Sequence, residues 1–162
     1  MNSLRECSRK ALQALTRLLF PFVRAYWRFI QPKSLGARAL VFHGDRVLLI
    51  KTAYGTRWQT PGGTMNAKET PEQCVLRELR EETGLDGVIR EKIGLYTSTV
   101  EGKRDTIHLF IVDVYQDTLA IEWELKAARW FTLDSLPEDT SPATKRRIQD
   151  YLSGERDVTK TW

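Results

Sequence analysis

The chain has 162 residues, 41% hydrophobic and 28% charged, which fits one globular domain with a single core and excludes a disordered or fibrous chain. Its two cysteines, Cys7 and Cys74, supply neither a disulfide framework nor zinc spacing, which suits a reducing compartment. The net charge of +4 is unevenly placed: residues 1–38 carry +7, with Glu6 their only acid, and the remainder carries −3.

Residues 3–30 follow a helical period. Leu4, Ala11, Leu15, Leu18, Phe22, Tyr26 and Phe29 recur at three- and four-residue steps, while Lys10, Arg17, Arg24 and Arg28 line another side. Pro21 is expected to break or kink this helix. Arg17 and Arg24 interrupt any apolar run of about 20 residues, so the segment does not read as a membrane span. It lacks the uncut apolar stretch and small-residue cleavage site of a secretory signal. Three roles stay open for it. It packs on its own domain or on a second subunit, making a homodimer; it lies on an anionic membrane through residues 3–30, with Phe20, Phe22, Trp27 and Phe29 at the interface; or it contacts nucleic acid.

Gln31-Pro32-Lys33-Ser34 reads as a linker, dividing an arm (1–33) from a domain (34–153) that ends in a polar, loose tail (154–162). Ala37–His43 and Arg46–Lys51 are apolar strand patterns joined by Gly44-Asp45, a hairpin signal. Tyr54–Arg57 is a loop. Val88–Val100 and Thr106–Tyr115 read as long strands, the first interrupted at Gly94, with a turn at Gly102–Asp105 between them. Glu122–Lys126 is loop or short strand, Ala128–Thr132 a strand, Asp134–Pro137 a turn, and Pro142–Leu152 a closing helix. Strands on both sides of an internal helix give a mixed-sheet α/β or α+β domain.

That internal helix follows Gly62-Gly63. Thr70 is a good N-cap, Pro71 suits the first helical position, Gln73 completes a capping box, and Gly84 is a stop. At about 100° per residue, Glu78, Glu81 and Glu82 share a face, beside an apolar arc of Val75, Leu76 and Leu79. Two of these acids fall in the last turn, where the helix dipole disfavours negative charge by about 0.3–1 kcal/mol each. A hard divalent cation, Mg²⁺ or Mn²⁺, would offset that cost.

Gly63, five residues, Glu69, seven residues, then Arg77-Glu78-Leu79-Arg80-Glu81-Glu82-Thr83-Gly84-Leu85 matches every fixed position of the Nudix box. The chain thus resembles the Nudix hydrolase family, and the resemblance implies an α/β/α sandwich with a mixed sheet. It implies Glu81 and Glu82 as principal metal ligands, Glu78 as a further ligand or the general base, and the Gly62 carbonyl at the metal. Glu69 is implied as a nearby orienting acid, and Arg77 as a residue that holds a glutamate by a bidentate contact. Many members carry a further acid in the region of Glu122 and Glu124, and Glu124 is taken as the candidate.

The reaction implied is hydrolysis of a diphosphate linkage in a small molecule by water, with no covalent nucleophile. A nucleoside diphosphate derivative is the default substrate, in the cytoplasm. A lipid or isoprenoid diphosphate gains ground if the arm holds the protein at the inner membrane face. A non-catalytic nucleotide sensor is the rival from another class, and the intact row of acids argues against it. Cys74 reads as a packing residue, Trp58 as structural and His108 as packed or solvated. Tyr54, Tyr96 and Trp123 are aromatics that could stack on a base.

Overall fold

The computed structural model describes residues 10–12, 14–15, 18–23, 25–26, 33–98 and 104–161. Seven strands form one sheet: β1 (Lys33–His43), β2 (Arg46–Thr52), β3 (Gly62–Thr64), β4 (Gly87–Ser98), β5 (Arg104–Val114), β6 (Leu125–Thr132) and β7 (Val158–Thr161). Two helices, α1 (Pro71–Thr83) and α2 (Pro142–Leu152), complete the domain. The strand order is β6-β2-β1-β5-β4-β7, with β3 pairing to β1 outside that path. Pairing is mixed. The β1–β5 and β4–β7 pairs are parallel, and the others are antiparallel.

The central strands are apolar on both faces, which is what two covering helices require. On one face Ala37, Ala39 and Val41 of β1 and Phe110, Val112 and Val114 of β5 pack against Cys74, Val75 and Leu79 of α1. On the other, Leu40 and Phe42 of β1 and Leu109 and Ile111 of β5 pack against Ile148 of α2. This is the α/β/α sandwich expected. Leu79 is fully buried, worth about 1.5–3 kcal/mol for such a side chain, so burial of the apolar arc sets the rotation of α1 and hence the direction of its acids.

Helix α1 begins and ends where its sequence signals lie. The Thr70 hydroxyl accepts from the Gln73 N–H at 3.2 Å, the Gln73 side chain accepts from the Thr70 N–H at 2.9 Å, and Gly84 closes the helix in a left-handed conformation.

Four expectations need correction. Lys33 and Ser34 are the first residues of β1, not linker, because each pairs in register with β5. Gly94 does not interrupt β4: the strand continues to Ser98, and its irregularity is a pair of register shifts at Ile89/Glu91 and Lys92/Gly94. Residues 158–161 of the tail are not loose but form β7, paired with Gly94–Thr97 and held by ion pairs from Lys160 to Asp150 and from Arg156 to Glu91. In the N-terminal segment the helical residues 18–23 run through Pro21, so that proline does not end the helix; an exposed helix can pass the freed carbonyl to water. Leu4, Cys7, Trp27, Phe29, Gln31, Pro32 and the turn residues Gly102 and Lys103 lie outside the described residues.

Candidate active site

The site forms where β3 brings the end of its loop against β1 and α1. Gly62 has a φ of 127°, a region that favours glycine, and a Cβ there would run into the backbone of Ala37 and Arg38. Its N–H donates to Glu82 Oε2 at 2.9 Å. At Gly63 a Cβ would stand 2.5 Å from the Glu78 carboxylate, so the second glycine leaves the room that this side chain occupies. The glycines are thus demanded by close approach of backbone to backbone and to a carboxylate.

Arg77 is the hub of the acids. Its Nε and Nη2 donate to the two oxygens of Glu69 at 2.7 and 3.0 Å, a bidentate pair. Its Nη1 donates to Glu78 Oε1 and to Glu81 Oε2, both at 2.8 Å, and Nη2 also reaches the Thr64 carbonyl at 3.1 Å. The guanidinium holds the Glu69 carboxyl down at about 2, below its ordinary 4.5. Burial acts the other way on the acids that face inward. It raises Glu78 and pushes Glu82 up to about 8, opposed for Glu82 by the Gly62 N–H and by the Arg38 charge.

Glu78 and Glu82 open on a cleft of about 280 Å³ with Gly62, Gly63 and Arg38 in its walls. Glu124 lines the same cleft, because its carbonyl accepts from the Ala53 N–H at 2.7 Å and pins the loop before β6 to the end of β2. Of the two loop acids, Glu124, the candidate taken from sequence, belongs to the cleft lining and Glu122 does not. Glu81 and Glu69 stand outside the lining. Glu81 is exposed and held by Arg77, and Glu69 sits behind Arg77.

Arg38 was not singled out by sequence reasoning. Its Nη1 donates to the Thr60 carbonyl at 2.6 Å, which fixes the guanidinium in the cleft wall. The signal was present, since Arg38 is the one charge within the apolar run Ala37–Phe42. Ser34 and Asp105, hydrogen-bonded to each other across β1 and β5, also line the cleft. The structure settles the aromatic residues as well. Tyr54 lines the cleft, while Tyr96 is buried on the α2 side with its hydroxyl donating to Asp150 at 2.8 Å. Trp58 is buried and packs edge-on against Phe131. Cys74 is a core residue, its thiol pushed up to about 11 by burial.

The model of the NUDIX domain matches residues 32–151. The chain belongs to the Nudix family. This Nudix protein is 31% identical over 128 residues to a Bacillus subtilis (strain 168) protein provisionally named as an 8-oxo-dGTP diphosphatase, covering 78% of this chain and 85% of the other. It is 29% identical over 135 residues to the ADP-ribose pyrophosphatase of Methanocaldococcus jannaschii, covering 80% and 79%. A crystal structure of a NUDIX hydrolase from Nitrosomonas europaea superposes with a TM-score of 0.70 over 82% of this chain and 80% of that one, at 22% identity, a likeness of fold. The protein is a Nudix-type hydrolase that cleaves a diphosphate linkage, and such enzymes generally need a divalent metal.

The residues present fit that requirement. Among the described residues, no three acidic, histidine or cysteine side chains are gathered into a ready cation cage. Yet Glu78 and Glu82 are two inward-facing carboxylates, both raised by burial, and Glu78 and Glu124 each add repulsion at Glu82. Arg38 is the cation that acts on both. Their donor atoms are the hard oxygens that Mg²⁺ and Mn²⁺ prefer.

Proposed function

We propose that this protein hydrolyses the diphosphate linkage of a nucleoside diphosphate derivative with the help of Mg²⁺ or Mn²⁺, held by Glu78, Glu82 and the Gly62 carbonyl, with Glu81 joining them only on turning from Arg77, which holds it outside the cleft lining. The observation that carries the reading is the pair of carboxylates, Glu78 and Glu82, that line one cleft of about 280 Å³ with Gly62 between them and β1. When bound, the cation would neutralise the diphosphate and lower the pKa of an attacking water. The chain's own residues do the rest. Arg77 holds Glu69, Glu78 and Glu81 in fixed relation, which pre-orients the acids. Glu78 or Glu124, both in the cleft wall, takes the proton of the attacking water. Arg38 draws the anionic phosphates in.

Two relatives bear names for activities on 8-oxo-dGTP and ADP-ribose, and both compounds are nucleoside diphosphate derivatives, which supports that substrate class. A reducing, cytoplasmic setting suits a chain whose Cys74 is buried in the core without a disulfide partner among the described residues. We take the sheet and its two helices, residues 33–161, as the catalytic domain, with the arm as an appended segment. A second reading, an isoprenoid or other lipid diphosphate, is favoured by the exposed apolar side chains of the arm.

Chromatographic analysis of the products tests the proposal: ADP-ribose should give AMP and ribose phosphate, 8-oxo-dGTP its monophosphate and inorganic diphosphate, and an isoprenoid diphosphate its monophosphate and phosphate, each measured with Mg²⁺, Mn²⁺ or excess EDTA. Turnover of a nucleotide that EDTA abolishes is expected. Undiminished turnover in EDTA, or preference for the isoprenoid compound, would overturn it.

A further inference from the structure

The exposed apolar residues of this chain are concentrated in its N-terminal segment. Leu12, Leu15, Leu18, Leu19, Phe22 and Val23 are between 40% and 71% exposed. At about 100° per residue they fall within an arc of about 140° of helix surface, the stripe of an amphipathic helix. Phe20 lies outside that arc, about 60° beyond Val23. It is also the residue that meets the domain. Its ring stacks on Tyr54 with centroids 4.5 Å apart and planes inclined by 22°, and Tyr54 lines the cleft. The arm therefore touches the rim of the cleft with one face and turns its apolar arc elsewhere. A contiguous apolar surface of this kind marks a docking site.

Charge selects the occupant. Between Glu6 and Asp45 the sequence has no acid, while Arg9, Lys10, Arg17, Arg24, Arg28 and Lys33 are all basic. At the helical period Lys10, Arg17, Arg24 and Arg28 fall across from the apolar arc. Pairing two copies through the arc would bring two strongly basic segments together. Nucleic acid would answer the charge and leave the apolar arc in water. An anionic bilayer meets both, since its acyl boundary takes the leucines and phenylalanine and its headgroups take the lysine and arginines. Among the described residues no helix is long and apolar enough to cross a membrane, so the mode is one of lying on the surface.

We propose that the arm docks on an anionic lipid bilayer through the arc from Leu12 to Val23, and that the Phe20–Tyr54 stack places the mouth of the cleft at that surface. The docking itself is independent of the reaction; only the placement of the mouth rests on the cleft being the active site.

Co-sedimentation of the full chain with vesicles of phosphatidylcholine alone, or with phosphatidylglycerol added, tests the docking. Binding to the anionic vesicles at low salt is expected, falling roughly tenfold on neutral vesicles or at high salt. The double variant Leu19→Glu/Phe22→Glu should lose binding by about tenfold or more. The charge reversal Lys10→Glu/Arg17→Glu/Arg24→Glu leaves the apolar arc in place and should lose binding to the anionic vesicles alone.

A full chain that stays in the supernatant with anionic vesicles at low salt overturns the proposal. So does equal binding to neutral vesicles. A lipid-free dimer that the double variant dissolves, with no vesicle binding, assigns the arc to a second copy instead. A lowered melting temperature in the double variant, again without vesicle binding by the wild type, assigns it to the domain. Hydrogen exchange at residues 52–59 should slow on vesicle binding in the wild type and not in Phe20→Ala; unchanged exchange there overturns the placement of the cleft mouth. Hydrolysis of a soluble nucleotide is measured alongside: vesicle binding without hydrolysis overturns the catalytic reading alone, and hydrolysis without vesicle binding overturns the docking alone.

Discussion

Replacing Arg77 by lysine keeps the positive charge and removes the fork. In the native site Nε and Nη2 meet both oxygens of Glu69, at 2.7 and 3.0 Å, and Nη1 meets Glu78 and Glu81, each at 2.8 Å. Nη2 adds the Thr64 carbonyl at 3.1 Å. A lysine ammonium is a point charge on a flexible stem, so roughly three of these five contacts are lost. Charge-assisted hydrogen bonds are worth about 1.5–3 kcal/mol each when shielded. Here Arg77 is 26% exposed and Glu81 is 60% exposed. Solvent screening reduces each contact to about 0.5–1 kcal/mol, for a stability loss of about 1.5–3 kcal/mol.

The larger effect of that substitution is expected on catalysis, because Glu78 and Glu81 lose their fixed relation. Misplacing a catalytic group by about 1 Å costs on the order of 10²-fold. Arg77 does not line the cleft, so kcat should fall about 10- to 100-fold while KM changes by less than about threefold. Steady-state kinetics on a soluble nucleotide, with urea denaturation of both proteins, measure the two effects separately. A kcat within about twofold of wild type would show that the charge alone suffices, and would refute the reasoning.

Three further outcomes are expected. Glu82→Gln should lower turnover by about 10²- to 10⁴-fold, yet raise the melting temperature of the protein in EDTA, because the wild-type carboxyl, pushed up to about 8 by burial, must take up a proton on folding at any pH above its ordinary 4.5; the gain should grow from about pH 4.5 to about pH 8, and a destabilised variant at about pH 7 would contradict the argument. Tyr96→Phe removes the donor to Asp150, leaving that carboxylate Lys160 among the described residues, and should cost about 1–3 kcal/mol in denaturant with activity unchanged, since it lies on the α2 face. Glu69→Gln tests the ion pair with Arg77 through pH. With the folded Glu69 held at about 2 against an ordinary 4.5, the wild-type advantage over the variant is present in full above about pH 4.5 and is lost as pH falls toward 2. A stability difference that does not change over that window would remove the pair from the account.

Local signals determined a good part of this protein. The capping box at Thr70 and Gln73, the proline at Pro71 and the glycine at Gly84 are each read by neighbours within a few residues, so the span of α1 was legible from the chain itself. The same holds for the two-residue hairpin loop at Gly44-Asp45 and for the closing helix Pro142–Leu152. The spacing of glycine, arginine and glutamates carried the family, and with it the chemistry.

Tertiary structure decided what depends on partners distant in sequence. Val158, Thr159 and Thr161 are β-branched, but four residues in a charged tail are too short to read as a strand, and they become β7 because β4 presents an open edge to them. Lys33 and Ser34 look like linker until β5 pairs with them. The helical wheel placed Glu78, Glu81 and Glu82 on one face, but a wheel holds no information about Arg77's reach. The fold turns Glu78 and Glu82 to the cleft and leaves Glu81 with the guanidinium. Arg38 and Glu124 enter the site from β1 and from the loop before β6, elements separated by some 80 residues of chain. Helical period gave the arm its apolar stripe, and only the stack of Phe20 on Tyr54 shows which way that stripe faces.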